Sequence, residues 1–327
     1  MRTLVLGGNR YIGLSLVAEL ARRGHAVTVA NSHVVDLPEG VERVHADRRR
    51  PGELATALRP RARDFDVVFD NTAYQVTDLE PLVELFAGRV RHYVFTSSVA
   101  VYRRSFVQPV TESFRLHEAI GDEPLRAYGI GKVRSERYLA DCFRRDGFPA
   151  TSVRVTHTVG PRSPLASRDP AFFARLEQGR PILVPGDGFP FIHPIHIDDA
   201  ARLLASIAGN ERAIGETYNA AGAEYVSILG CIHLMARAAG VDPEVVHVPM
   251  AVLRHLDGPI VHWGEATAGG TVFSIAKALE HLDWTPRLGL AAAYDDSYRW
   301  FAAGGRENYE FDFSFDDKVL AELESRH

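Results

Sequence analysis

Short apolar runs alternate with helical patterns through the first 155 residues. Runs at 3–6, 25–30, 41–45, 65–69, 92–96 and 151–155 have the length and branched-aliphatic content of buried strands. Between them, 11–23, 51–58, 79–86 and 125–145 repeat apolar residues at helical spacing. Such alternation predicts parallel strands joined by right-handed crossovers, with ligands at the C-terminal ends of the strands. The expected fold class is therefore α/β, a Rossmann-type doubly wound parallel sheet.

After Gly160-Pro161-Arg162 the texture changes, and prolines at 161, 164, 170, 181, 185, 190 and 194 interrupt shorter elements. This reads as a departure into a smaller C-terminal lobe that would hold a substrate. A strand at 195–197 leads to a helix from Asp198, whose acidic side chains suit its cap. Further helices are expected at 227–239 and 288–301. The tail 311–316 alternates aromatic and polar residues as a short strand or strap would. The predicted division is 1–160, with 195–222 returning to it, against a lobe of 161–194 and 223–327.

Composition narrows the classes. The net charge is −5, with three lysines against thirty-four arginines, and the basic runs at 48–50 and 59–63 are short enough to be solvated faces. No nucleic-acid partner is expected from such a balance. Two cysteines far apart, Cys142 and Cys231, suggest neither a disulfide framework nor a zinc site. The N-terminal apolar run is too short for a signal peptide and no run of eighteen apolar residues occurs, so a cytoplasmic protein without membrane contact is expected. The histidines 157, 193 and 196 are scattered rather than set at ligand spacing, and no metal is expected.

Three short stretches carry chemistry. Residues 5–13, VLGGNRYIG, place glycines between a strand and a helix, where backbone N–H groups and the helix N-terminus can meet a phosphate. Residues 128–132, YGIGK, set a phenol and an ammonium four apart on one helix face. A phenol with a pKa of about 10 is a poor base at neutral pH, and a lysine charge beside it favours the phenolate. Residues 93–102, YVFTSSVAVY, end a strand in hydroxyls at the crevice edge, where one could hold a substrate oxygen beside Tyr128.

The three stretches in this order resemble the extended short-chain dehydrogenase/reductase superfamily, in its NAD(P)-dependent epimerase/dehydratase branch. VRVTHTVGPR at 153–162, IHIDDAA at 195–201, YNAAG at 218–222 and LDWTP at 282–286 extend the likeness over nearly the whole chain. The resemblance implies Ser98, Tyr128 and Lys132 as the catalytic set, with Lys132 also on the nicotinamide ribose. It implies a cofactor site at Gly7, Asn9, Arg10, Tyr11, Ile12, Gly13, Asn31 and Asp47, the last against the adenine. Ser98, His157, Arg162 and His193 are the expected substrate residues. Members of the superfamily are often dimers.

Departures from the family pattern refine this expectation. Arg10 stands where the middle glycine of GxxGxxG is usual, so the loop is closest to an atypical branch reading GGTRFIG, which includes chloroplast stem-loop RNA-binding relatives and presumed sugar enzymes. Arginine is a good phosphate ligand, and the second strand ends Val29-Ala30-Asn31-Ser32 with no acid to repel a 2′-phosphate. NADP(H) is therefore expected over NAD(H). Val99 and Ala100 follow Ser98 where dehydratases and decarboxylases carry acids, which disfavours elimination. His157, Ile192 and His193 replace residues that meet the diphosphate in nucleotide-sugar members. The expected activity is epimerisation of a sugar or sugar-like substrate by reversible hydride transfer at a secondary alcohol carbon. An NADPH-dependent ketoreductase is the alternative, and a dinucleotide-binding sensor or RNA-associated protein is the rival of another class.

Overall fold

The computed structural model describes residues 1–33, 36–50, 52–118, 124–256 and 270–326. Six strands and four helices alternate first: β1 (Arg2–Leu6), α1 (Tyr11–Arg22), β2 (Ala26–Asn31), β3 (Glu42–His45), α2 (Glu53–Leu58), β4 (Val67–Asp70), α3 (Val76–Phe86), β5 (His92–Ser98), α4 (Pro124–Asp146) and β6 (Ala150–Val155). The chain then makes β7 (Thr158–Val159), α5 (Asp169–Glu177), β8 (Ile182–Pro185), β9 (Phe191–Ile192), β10 (Ile195–His196), α6 (Ile197–Ile207) and β11 (Thr217–Ala220). β12 (Val226–Ser227), α7 (Ile228–Ala239), β13 (Val245–Val248), α8 (Met250–His255), α9 (Ala276–His281), α10 (Leu290–Ala302) and α11 (Ser314–Glu324) follow.

The central sheet has seven strands in the order β11-β6-β5-β4-β1-β2-β3, every pair parallel. Its order reverses beside β1, so a crevice opens between the loops after β1 and β4, the switch point where ligands bind in such sheets. Both faces are covered, which is why the strands read as continuous apolar runs rather than alternating ones. On one face Leu16, Val17 and Leu20 of α1 pack with Leu203, Leu204 and Ile207 of α6; on the other, Leu54, Leu79, Leu82 and Leu139 bring in α2, α3 and α4.

The smaller elements bury their own apolar cluster, in which Phe172 and Phe173 of α5, Ile232 and Met235 of α7 and Tyr294 and Phe301 of α10 meet. β8 pairs β13 in parallel, and β9 pairs β12 in antiparallel fashion.

Several elements differ from expectation. The helix after β10 starts at Ile197 and is capped by His196, whose Nδ1 accepts the Asp198 N–H at 3.2 Å. Asp199 turns instead to the N–H groups of Arg287 and Leu288 and to Arg202. The tail forms no strand: Phe311 and Phe313 stack, and α11 begins at Ser314. α5 was not expected at all. Its Pro170 lies in the first turn, where a missing N–H costs nothing, so the proline opens the helix instead of breaking it. Pro51, at the head of the second expected helix, and 257–269, within the lobe expected to hold a substrate, lie outside the described residues.

Candidate active site

The loop after β1 is shaped by close backbone approach. Gly7 has φ +80°, and a Cβ on Gly13 would stand 2.1 Å from the Gly7 carbonyl oxygen. The Gly13 N–H closes the turn on the Arg10 carbonyl at 3.0 Å. Asn9 is half-buried, and Ile12 packs on the apolar cluster beneath. Arg10 is exposed at the head of α1, and its guanidinium has no hydrogen-bond or ion-pair partner among the described residues. Tyr11 takes the left-handed conformation, φ 48°, while its buried hydroxyl donates to the Thr158 carbonyl at 2.7 Å. Burial pushes that phenol up, so it remains a donor, and only its backbone is left to face the loop.

At the end of β2, Asn31 Oδ1 accepts from Arg43 Nε at 3.0 Å. Asn31 Nδ2 and Arg43 Nη2 are buried with no partner among the described residues. Asp47 is clamped by Arg49, whose hydrogen bonds hold its carboxyl down at about 2. Arg48, read from sequence as part of a solvated basic run, instead turns inward to the wholly buried Asp70 at 2.7 Å.

α4 reaches the end of β5 because its glycines have no side chains. A Cβ on Gly129 would stand 2.3 Å from the Ala100 carbonyl oxygen, and one on Gly131 2.5 Å from that of Tyr74. The flanking residues Tyr128 and Lys132 are thereby carried against the strand ends. Lys132 is 2% exposed, and its Nζ donates to the carbonyls of Ala73 at 2.6 Å and Thr96 at 2.7 Å. It also lies 5.8 Å from the Tyr128 ring centroid and 5.0 Å from that of Tyr74. Burial lowers its proton affinity to about 8. Ser98 is half-buried, with its Oγ accepting the Ala100 N–H at 3.2 Å.

The expected substrate residues fare differently. β6 ends at Val155, level with Ser98 on β5, so His157 follows just beyond the strand end; its Nε2 is 3.6 Å from Asp169 Oδ1. His193 is a correction. Both its nitrogens are engaged by the backbone, Nε2 with the Gly222 carbonyl at 2.9 Å and Nδ1 with the Phe273 N–H at 3.1 Å, which leaves none for a substrate. Arg162, with φ 63°, lines a cavity of about 620 Å³ with Tyr11, Asp198, Arg202 and Arg287 beside α1 and α6, and neither Ser98, Tyr128 nor Lys132 lines it. Sequence reading missed Arg43, Arg48 and Asp70, though Asp70 at the end of an apolar strand is an unusual enough acid to have been a signal.

The residues present fit a dinucleotide. The Gly7 and Gly13 N–H groups are spent on the Ala30 and Arg10 carbonyls, but the loop between them lies at the start of α1, where a helix favours an anion, and Asn31, Arg43 and Asn71 each hold a buried nitrogen without a partner among the described residues.

Fold and site together define an enzyme of the short-chain dehydrogenase/reductase type. The chain belongs to the NAD dependent epimerase/dehydratase family, whose profile matches residues 3–221. It is 28% identical to the chloroplast stem-loop binding protein of 41 kDa b of Arabidopsis thaliana, over 98% of this chain and 84% of that one. It is 30% identical to the 2'-dehydrokanamycin reductase of Streptomyces kanamyceticus, over 66% of this chain and 60% of the reductase. Its fold is similar to that of a UDP-glucuronic acid 4-epimerase from Bacillus cereus solved with UDP-glucuronic acid and NAD, with TM-score 0.74 and 19% identity over 94% of this chain and 100% of that one. Among the described residues no helix is long and apolar enough to cross a membrane.

Proposed function

We propose that this protein interconverts a secondary alcohol and a ketone on a sugar or sugar-like molecule, as an epimerase or as a ketoreductase. The observation that carries the reading is the convergence of Tyr128, Lys132 and the β5 end, held by the glycine contacts of α4. A bound nicotinamide dinucleotide would supply the hydride donor and acceptor. Tyr128 exchanges the hydroxyl proton at its phenolic oxygen, Ser98 holds the substrate oxygen, and the Lys132 charge favours the phenolate. Gly7, Asn9, Gly13 and the backbone of Tyr11 and Ile12 form the phosphate cradle, and Arg10 adds a free guanidinium to it. His157 lines the substrate side. A ketone kept and reduced on its opposite face gives an epimer; a ketone released gives a net oxidoreductase. Val99 and Ala100 provide no acid for elimination.

NADP(H) is the preferred dinucleotide in this reading. Asn31 ends β2 without a carboxylate, and Arg43 beside it offers a buried unpartnered N–H to a 2′-phosphate. Residues 1–160 and 195–222 would hold the dinucleotide, and 161–194 with 223–327 the substrate. Mass spectrometry of the denatured protein reads out what co-purifies. Stoichiometric dinucleotide supports a recycling epimerase, and an empty protein that binds NADPH supports a reductase. Failure to bind either dinucleotide would overturn both.

A second reading, an RNA-associated protein that holds a dinucleotide, is favoured by the likeness to the Arabidopsis stem-loop binding protein over nearly the whole chain. Tyr128→Phe separates the two. Loss of turnover with dinucleotide binding retained supports the enzyme, whereas a stem-loop RNA retained at physiological salt by wild type and variant alike supports the rival.

A further inference from the structure

Lys132 holds its ammonium in the interior without a direct counterion among the described residues. No carboxylate among the described residues lies within ion-pair distance of Nζ, which is met by two carbonyls and by the rings of Tyr74, Phe95 and Tyr128. The charged groups facing it are Asp70 at the end of β4, Arg48 after β3, Asp78 on α3 and Glu136 on its own helix. Two of these acids are committed elsewhere. Glu136 pairs with the buried Arg154 at 2.6 Å, and Asp78 accepts the N–H groups of Tyr74 and Gln75. Asp70 remains, and it is shared with a second cation, Arg48.

The bonds of Asp70 join these groups into one unit. Its Oδ2 accepts from Arg48 Nη2 at 2.7 Å and from the Tyr93 hydroxyl at 2.6 Å. Its Oδ1 accepts the N–H groups of Thr72 and Ala73, each at 3.1 Å, and so fixes the turn whose Ala73 carbonyl meets Lys132. The same turn backs the phosphate loop, since a Cβ on Gly7 would stand 2.1 Å from Thr72 Cγ2.

We propose that Asp70 is a positioning residue for Lys132, aiming the Ala73 carbonyl at its ammonium and cancelling the Arg48 charge, so that this carboxylate governs how much positive charge Tyr128 feels. The proposal rests on the reading of Tyr128 and Lys132 as the proton-exchanging pair. Its physical basis is that two buried cations sharing one anion each depend on that anion to stay charged. Burial raises the Asp70 carboxyl, but Arg48, Tyr93 and the Thr72 N–H outweigh it and keep it below the usual range, so it is an anion at neutral pH. With Asp70 neutral, Arg48 would face Lys132 uncompensated and the ammonium would lose its proton earlier. Tyr128 would then need a higher pH to reach phenolate.

The chain has only three lysines, which makes a direct test simple. Protein grown on lysine labelled with ¹³C at Cε should give three titrating signals, assigned through Lys277→Arg and Lys318→Arg. Asp70→Asn should move the Lys132 midpoint down by about one pH unit or more, and Arg48→Gln should move it up. The downward direction is diagnostic, because unfolding would return Lys132 to the higher midpoint of a free lysine. A folded Asp70→Asn protein whose Lys132 midpoint stays within a few tenths of wild type overturns the proposal. If Asp70→Asn does not fold, a folded Arg48→Gln protein with no upward movement overturns it equally. The titration needs no substrate or cofactor, so it fails or succeeds apart from the Tyr128→Phe test of the enzymatic reading.

Discussion

Lys132 Nζ donates to the Thr96 carbonyl at 2.7 Å, two residues before Ser98 on the same strand, so one buried ammonium ties the helix that carries Tyr128 to the strand that carries the serine. Keeping a charge there has a cost. Burial lowers Lys132 from the ordinary 10.5 to about 8, so between those values the unfolded chain binds the proton and the folded one does not. Stability is therefore flat below pH 8 for this group and rises with pH through the window, by about 3 kcal/mol in all. In Lys132→Met that rise should vanish, as seen in the difference between wild-type and variant urea unfolding at pH 7.5 and pH 10. Parallel pH dependences would show that the ammonium is hydrated after all.

Gly129→Ala weighs two opposed effects. Alanine favours a helix over glycine by about 1 kcal/mol. Its methyl would stand 2.3 Å from the Ala100 carbonyl, a backbone atom that cannot swing away, and overpacking of this kind costs about 1–3 kcal/mol. The clash should win. A lower urea midpoint is expected, together with weaker turnover as Tyr128 is pushed from Ser98. A variant as stable as wild type would mean that α4 does not press on this strand.

How much of this was legible in the sequence follows from how local each signal is. The α/β alternation was readable because strands covered on both faces are continuous apolar runs, and the nearness of Tyr128 to Lys132 was readable because a spacing of four puts them on one helix face. The glycines inside that motif were not, since their role is a contact with Ala100 and Tyr74 across the fold. Arg48 looked like surface because its neighbours are arginines, and nothing local reveals that it alone turns inward to an acid twenty-two residues away. His193 looked like a ligand because a histidine whose two nitrogens meet distant backbone groups is indistinguishable in sequence from one that is free.

Arg43 separates the two dinucleotides. Its Nε is held by Asn31 while Nη2 has no partner among the described residues, so a 2′-phosphate that reached it would gain a charge-assisted bond. Such bonds contribute about 1.5–3 kcal/mol, or roughly ten- to a hundredfold in affinity. Arg43→Gln should weaken NADP⁺ by that factor in a calorimetric titration and leave NAD⁺ nearly unchanged. Arg10→Gly should likewise fall harder on NADP(H) if its free guanidinium meets a phosphate. Wild-type protein that takes NAD⁺ far more tightly than NADP⁺ would remove the basis for both.

His92 gives the protein an acid limit that has nothing to do with its site. The ring is buried at the head of β5, bonded to Thr151 Oγ1 at 2.7 Å. Burial lowers it from 6.5 to about 4, more than its bond to the Ile207 backbone raises it. Because the folded form holds the imidazole neutral, the unfolded chain takes up the extra proton below pH 6.5, and the stability from this group is lost progressively as pH falls to about 4. The drop of about two and a half pH units corresponds to roughly 3 kcal/mol, a large fraction of the stability of an ordinary domain. Wild-type protein should therefore lose urea resistance steeply between pH 6.5 and 4, while His92→Gln, less stable at neutral pH through its poorer fit, should show a shallower slope over the same interval. Equal slopes would show that the buried imidazole does not set the acid limit.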